Sequence, residues 1–287
     1  TVAELIRGVE KEFARAGLYF GHGTDNALDE AAWLVGSALQ LAPHELDAHL
    51  EERPAAAQQD AIRALVEKRI NTRQPLAYLL QEAWFAGLKF YVDERVLVPR
   101  SLTAQLIAEQ FQPWIDPARV RRILDLCTGS GCMAIACAYA FPEARVDAAD
   151  ISQAALAVAR INVENHGLRE RVQLIHSDLF SGLSDARYDL IVTNPPYVAR
   201  AEMETLPPEY RHEPALALAS GAQGLDAVTR ILAAAPAHLN PGGILVAEVG
   251  NSAAALQQRF PSVPFTWLTT AMGDESVFLL TAAQLQH

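Results

Sequence analysis

The chain has 287 residues, 51% of them apolar, enough to bury a substantial core and to exclude extended disorder. Lys and Arg number 23 against 34 Asp and Glu, a net charge of −11 that argues against non-specific duplex DNA binding and anionic membrane surfaces and suits a basic protein partner. Three cysteines exclude a disulfide scaffold, and no apolar run reaches the roughly eighteen residues of a membrane span.

Charges interrupt every apolar stretch of the opening TVAELIRGVEKEF, so it lacks a signal-peptide pattern. Thr1 in place of Met is expected of a processed or trimmed start. The expected location is cytoplasmic.

From Thr1 to about Arg73 the periodicity is helical. Leu5, Ile6 and Val9 fall at helix spacing, as do Leu34, Val35, Ala38 and Leu39. Asn26 or Asp29 caps the helix carrying Trp33. A third helix places Ile62, Leu65, Val66 and Ile70 on one face, and Pro43 and Pro54 fall between helices. The reading is a small all-α bundle over residues 1–80. WFAGLKFYVDERVLVP alternates and carries Phe, Tyr and Val, which suggests a β-hairpin or two short strands, a linker over 81–100.

Residues 101–287 alternate helix and strand. LTAQLIAEQF, CMAIACAYAF, SQAALAVARINVENHG and LDAVTRILAAAPAHL read as helices; ILDLC, ARVDAAD, VQLIHSD, YDLIVTN and GILVAEV read as strands. This alternation implies a parallel sheet covered on both faces. FTWLTT and SVFLLTA add two strands joined by a Gly273-Asp274 turn. The expected fold class is α/β: a doubly wound, seven-stranded, mostly parallel Rossmann-like sheet with a C-terminal β-hairpin, preceded by the helical bundle and the hairpin linker.

Asp125, Thr128, Gly129, Ser130 and Gly131 fall between a strand and a helix. Glycines there allow a sharp turn and close backbone approach to a ligand, and the helix offers free N–H groups. Asp150, at the next strand end, is placed to accept the hydroxyls of a ribose. Gly129-x-Gly131-x-x-Ala134 also fits a relaxed dinucleotide pattern, so the loop alone leaves the nucleoside cofactor open, as well as a ligand-free turn. Asp178, at the third strand end, suits an adenine amino group, and Asn194-Pro195-Pro196-Tyr197 follows the fourth strand. A nicotinamide enzyme has no need of that rigid turn.

A glycine loop, acids ending the second and third strands and this tetrapeptide together resemble the S-adenosylmethionine-dependent amino methyltransferases. With the helical front, the hairpin and Val98-Pro99-Arg100, essentially the whole chain resembles the protein-(glutamine) methyltransferases. Phe20-Gly21-His22-Gly23-Thr24-Asp25-Asn26, Val98-Pro99-Arg100-Ser101 and Glu209-Tyr210-Arg211-His212-Glu213-Pro214 look like the branch that modifies the third protein of the large ribosomal subunit. The sister branch, which modifies peptide release factors, usually carries Arg-Pro-Glu-Thr-Glu where this chain has Arg100-Ser101-Leu102-Thr103-Ala104. Leu102-Thr103, Gln105 and Gln223 depart from the ribosomal branch.

The resemblance implies S-adenosylmethionine held by Asp125, Thr128, Gly129, Ser130, Gly131, Asp150, Ile151, Asp178, Leu179 and Asn194. It implies a glutamine bound by Asn194, Pro195, Pro196 and Tyr197, with Asn194, Pro195 and Tyr197 catalytic. The implied partner is a large-subunit ribosomal protein, met before or during ribosome assembly, with no direct nucleic-acid readout and no membrane; the helical front chooses the substrate.

A glutamine amide nitrogen is a poor nucleophile because its lone pair is delocalised. Two acceptors, the Asn194 side-chain oxygen and the Pro195 carbonyl, would fix the NH₂ plane and favour the positive charge that develops at nitrogen. The Tyr197 ring would wall the amide from water. The sulfonium supplies the electrophile, so no metal is required.

Rival readings are methylation of an adenine amine, weakened by the negative charge and lack of a basic stripe, a nicotinamide dehydrogenase, and a non-catalytic assembly factor, weakened by the intact tetrapeptide. Cys127, Cys132 and Cys137 read as small core residues. Trp33 and Leu34 read as bundle core, His22 as a turn or cap before a contact to the ribosomal partner, Arg100 as structural before orienting substrate or neutralising an acid, and Tyr210-Arg211-His212 as a substrate lid or a solvated loop. Glu248 receives no role.

Overall fold

The computed structural model describes residues 1–270 and 276–286. Helix α1 (Val2–Arg15) begins where Thr1 and Glu4 satisfy each other's backbone N–H groups, and it buries Val2, Ile6, Val9 and Phe13 along one stripe. Helix α2 (Ala27–Ala38) is capped by Asn26, whose side chain accepts the Asp29 N–H; Asn26 and not Asp29 is the cap. Helices α3 (Ala56–Thr72) and α4 (Leu76–Leu80) complete the bundle, whose core includes Phe13, Leu34, Ile62, Val66 and Leu76. Trp33 is only partly buried, and its indole N–H donates to Glu82 at 3.3 Å.

The hairpin is shorter than the alternation suggests. Strands β1 (Ala83–Phe85) and β2 (Leu88–Phe90) pair antiparallel around Ala86 and Gly87, both at positive φ. Residues 91–100 then run without helix or strand, pinned by side chains. Asn162 bonds both the N–H (2.7 Å) and the carbonyl (2.9 Å) of Tyr91. Helix α5 (Thr103–Ala108) stops short of its apolar pattern because Gln110 and Phe111 adopt left-handed conformations that a right-handed helix excludes.

There follow β3 (Arg122–Leu126), α6 (Cys132–Ala140), β4 (Arg145–Asp150), α7 (Gln153–Asn165), β5 (Val172–His176), β6 (Tyr188–Thr193), α8 (Arg200–Met203), α9 (Asp226–His238), β7 (Leu239–Glu248), α10 (Ala253–Arg259), β8 (Thr266–Leu268) and β9 (Val277–Thr281). The seven-stranded sheet has the order β5-β4-β3-β6-β7-β9-β8; the first five are parallel, and β9 is antiparallel to both neighbours. β8 and β9 form the C-terminal hairpin, while the Gly273-Asp274 turn assigned to it lies outside the described residues.

Alternate residues of the central strands feed two separate cores. Ile123, Leu190 and Val192 pack with α6 on one face, and Leu124, Leu126 and Ile191 pack with α9 and α10 on the other. Being covered on both faces is why these strands read as near-continuous apolar runs. From β3 the chain winds outward through β4 and β5, then returns to place β6 on the other flank of β3. The loops leaving β3 and β6 therefore diverge, and a crevice opens above their carboxyl ends. Among the described residues no helix is long and apolar enough to cross a membrane.

Candidate active site

A cavity of about 320 Å³ occupies that crevice, within the range of small-molecule sites. Thr128, Gly129, Ser130, Asp150, Ile151, Asp178, Leu179, Asn194 and Pro196 line it, gathered from the ends of four strands. Val98, Pro99, Arg100 and Ser101 close one side, and Leu216, Ala217 and Ser220 another. Asp125, Gly131, Pro195 and Tyr197 are not among the lining residues.

Asp125 lies beneath the glycine loop. Its Oδ2 accepts the Thr128 hydroxyl at 2.6 Å and the Ala134 N–H at 2.9 Å, while Oδ1 is buried without a hydrogen bond among the described residues. Burial pushes its carboxyl up to about 7, against the pull of those two bonds. The glycines do different work. Gly129 turns its N–H to Asp150 Oδ2 at 2.9 Å. Gly131, at φ +81°, lies where an added Cβ would sit 3.3 Å from the Ala159 Cβ, so it permits α6 and α7 to approach. Asn162, fully buried on α7, holds the Ser130 carbonyl at 2.8 Å; with its grip on Tyr91 it ties the loop to the 91–100 segment.

Asp150 also accepts the Ser152 N–H at 2.8 Å, so a backbone donor orients each carboxylate oxygen. Burial raises its pKa and these bonds partly oppose the rise. Asp178 sits at the third strand end as expected, but it is paired with Arg230 at 2.8 Å, a partner the sequence reading lacked. Cys132 and Cys137 are buried, and burial pushes the Cys132 thiol up to about 12, which disfavours the thiolate; Cys127, read as core, is only partly buried and lines the cavity. Among the described residues no group of three His, Cys, Asp or Glu side chains is arranged to hold a metal.

The tetrapeptide leaves β6 directly. Asn194 lines the cavity, and its side-chain amide has no hydrogen bond among the described residues. The Tyr197 carbonyl packs against Gly224, where an added Cβ would lie 2.1 Å from that oxygen. Burial raises the Tyr197 hydroxyl above the ordinary phenol range, with Glu248 adding to the rise.

The strap that follows, residues 198–220, is fastened to the helical bundle. Glu209 is fully buried and accepts the Tyr19 N–H at 3.0 Å, and it is ion-paired, without a hydrogen bond, to Arg73 Nε at 3.0 Å and Arg69 Nη1 at 3.5 Å. Glu213 takes Arg100 on both oxygens at 2.5 and 2.8 Å, the Val98 N–H at 3.1 Å, and faces His22 Nε2 at 3.5 Å. Between the two acids the Tyr210 ring packs 4.6 Å from His22 and 5.4 Å from the Arg100 guanidinium. Tyr210 and His212 are thus docked while Arg211 stays exposed, and His22, in the bend between Gly21 and Gly23, is buried beneath Tyr210. Arg100 neutralises the buried Glu213 and also lines the cavity. Glu209 and Glu213 stand in a segment that carries the family resemblance, but nothing in the sequence shows their burial or their partners, because a carboxylate in a polar stretch reads as solvated.

Burial pushes the Glu213 carboxyl upward, but the Arg100 and His22 charges and bonds outweigh it and hold the pKa at about 2. A depressed folded-state value contributes stability above the ordinary carboxylate range that is lost as pH falls toward it. Urea unfolding is therefore expected to show wild-type stability dropping between about pH 5 and about pH 2, with a shallower slope in Glu213→Gln. Parallel slopes would remove Glu213 from the acid response.

Residues 102–207 match the family model "Methyltransferase small domain" and residues 4–80 match "PrmC N-terminal domain". The chain is 49% identical over 286 residues to the ribosomal protein uL3 glutamine methyltransferase of Neisseria meningitidis serogroup B, covering 99% of this chain and 94% of that one. It is 48% identical to the protein of that name from Burkholderia pseudomallei, over 99% and 95% of the two chains. Among solved structures, the hMettl16 catalytic domain in complex with a MAT2A 3'UTR hairpin superposes with a TM-score of 0.54 at 18% identity, over 79% of this chain and 81% of that one. At that identity the likeness speaks for the fold alone.

Proposed function

The chain belongs to the ribosomal protein uL3 glutamine methyltransferase family, and on that premise we propose that it transfers a methyl group from S-adenosylmethionine to the side-chain amide nitrogen of a glutamine in uL3. The observation that carries the reading is Asn194: an amide at the mouth of β6, facing the cavity, with no hydrogen bond to another described side chain or backbone group. A polar group so placed is left for a ligand.

The residues present suit the cofactor. The Gly129 turn lets backbone form the cavity floor, Asp150 is held by two backbone donors with lone pairs remaining for ribose hydroxyls, and Ile151 and Leu179 offer apolar surface beside Asp178 for a purine. Thr128 and Ser130 complete that wall, while Asp125 and Gly131 act from beneath it by shaping the loop. When bound, S-adenosylmethionine supplies an electrophilic methyl on a sulfonium. The chain's part is to hold the acceptor. Asn194 Oδ1 takes one amide hydrogen and the Pro195 carbonyl the other, which fixes the NH₂ plane and favours charge building on nitrogen. Pro195 and Pro196 stiffen the turn, so little order is lost on binding. Tyr197, which is not cavity wall, packs its ring on Gly250 and braces the turn that carries these acceptors.

The net charge of −11 suits a basic ribosomal protein met in the cytoplasm before or during ribosome assembly. The same proposal assigns residues 1–80 to substrate selection, 81–100 to the linker and 101–287 to methyl transfer.

Undermodified uL3 incubated with wild-type enzyme and labelled cofactor is expected to gain one methyl on one glutamine, read by mass spectrometry. Label in a release factor or in bulk nucleic acid instead would overturn the acceptor. Asp150→Ala is expected to weaken cofactor binding roughly 10- to 100-fold by calorimetry, since bonds to a charged acceptor contribute about 1.5–3 kcal/mol. Affinity within about twofold of wild type would take Asp150 out of the cofactor site.

A further inference from the structure

The exit of β7 grips the tetrapeptide from outside the cavity. Tyr197 aims its hydroxyl at Glu248 Oε1, 3.5 Å away, and its carbonyl accepts the Ser252 hydroxyl at 2.8 Å. Its ring rests on Gly250, where an added Cβ would come within 2.5 Å of the ring. The other oxygen of Glu248 accepts the Ser101 hydroxyl at 2.6 Å and the Leu102 N–H at 3.0 Å. Ser101 is cavity wall, and its hydroxyl lies 2.7 Å from that of Thr103, which in turn donates to the Met133 sulfur at 3.1 Å; Met133 is cavity wall as well. Glu248 itself lines no part of the cavity and is only 5% exposed.

Strand β7 has no packing need for an acid here. Ile244, Leu245, Val246 and Ala247 precede Glu248 in the same fully buried run. A carboxylate is costly to bury, and this one carries only hydrogen-bond donors from the two sides of the site. Burial raises its pKa, and the Ser101 and Leu102 bonds oppose the rise.

We infer that Glu248 is a positioning residue for methyl transfer: it joins Tyr197 to the Ser101–Leu102 wall and so sets where the Asn194-Pro195 acceptors stand over the cavity. The inference rests on the reading of the tetrapeptide as the amide-binding turn. The contact to Tyr197 is at the outer limit of a hydrogen bond.

Glu248→Gln preserves volume and one acceptor for Ser101 and Leu102, but it removes the charge and turns an amide donor toward Tyr197, whose hydroxyl must then accept where it donated. It is expected to lower kcat about tenfold while KM for uL3, calorimetric cofactor affinity and thermal midpoint stay near wild type. Tyr197→Phe is expected to cost a similar factor in the wild-type background and less than about twofold in the Glu248→Gln background, because one change removes and the other reverses and weakens the same contact. The inference is overturned if Glu248→Gln retains kcat within about twofold, or if the two losses multiply. It is also overturned if the loss disappears once rates are normalised to the folded fraction, which would make the role structural only. Wild-type enzyme that fails to label uL3 would sink the functional reading, and this inference with it, whatever the variants do.

Discussion

Asn194→Ala is expected to lower kcat on uL3 by about 100- to 1,000-fold while cofactor affinity stays within about twofold. The asymmetry follows from where the side chain stands. Asn194 faces the cavity from the end of β6 without a hydrogen-bonded partner in the described protein, so truncating it orphans no other protein group and leaves the glycine loop, Asp150 and Asp178 untouched. The lost oxygen matters only as the amide nitrogen takes on positive charge. An acceptor used in the transition state and little used in the ground state lowers kcat and spares binding. Asn194→Asp keeps an oxygen acceptor but adds a charge, and it is expected to fall between Ala and wild type. Rates from single-turnover labelling, set beside calorimetric affinity, check the prediction. A loss confined to cofactor affinity would assign Asn194 to holding the cofactor alone.

Arg69→Met is expected to destabilise the fold by about 3–5 kcal/mol, the cost of stripping the partner from a buried charge. Arg69 is fully buried; its Nε meets Glu30 at 2.7 Å, Nη2 meets the Tyr19 carbonyl at 3.0 Å and Nη1 meets Glu209 at 3.5 Å. Burial already raises the Glu30 pKa in spite of Arg69, so removing the cation leaves a carboxylate that must take up a proton or water. The loss compares with a typical total stability of about 5–15 kcal/mol. The exposed pair of Arg7 with Glu10 is the contrast, and Arg7→Met is expected to change stability by less than about 1 kcal/mol. Urea midpoints measure both. Because Glu209 also anchors the strap, Arg69→Met is further expected to raise KM for uL3 more than for the cofactor. Equal urea midpoints for the two variants would show that the network around Glu209 does not hold the bundle to the strap.

The fold class and the candidate site were both legible in the linear chain, and for one reason: each is written in contiguous residues. Short near-continuous apolar runs such as 188–193 and period-3.6 helices such as 226–238 carry their own geometry. The Gly129-Ser130-Gly131 turn and the Asn194-Pro195-Pro196-Tyr197 turn bring their chemistry within a few positions, and strand order then puts both at carboxyl ends. Other features depended on meetings across the chain. Glu213 finds Arg100 113 residues away, Glu248 finds Ser101 147 away, and Glu209 finds Tyr19 190 away. A glutamate in isolation has the same character whether it will face water or be sealed beside a guanidinium. Only the packing of the bundle, the strap and the sheet decides its surroundings, because desolvation and ion pairing are properties of the assembled neighbourhood. The chain's own residues therefore determined which fold forms and where the chemistry sits; the tertiary structure decided which charges are buried, what they hold in place, and which of the tetrapeptide's side chains face the cavity.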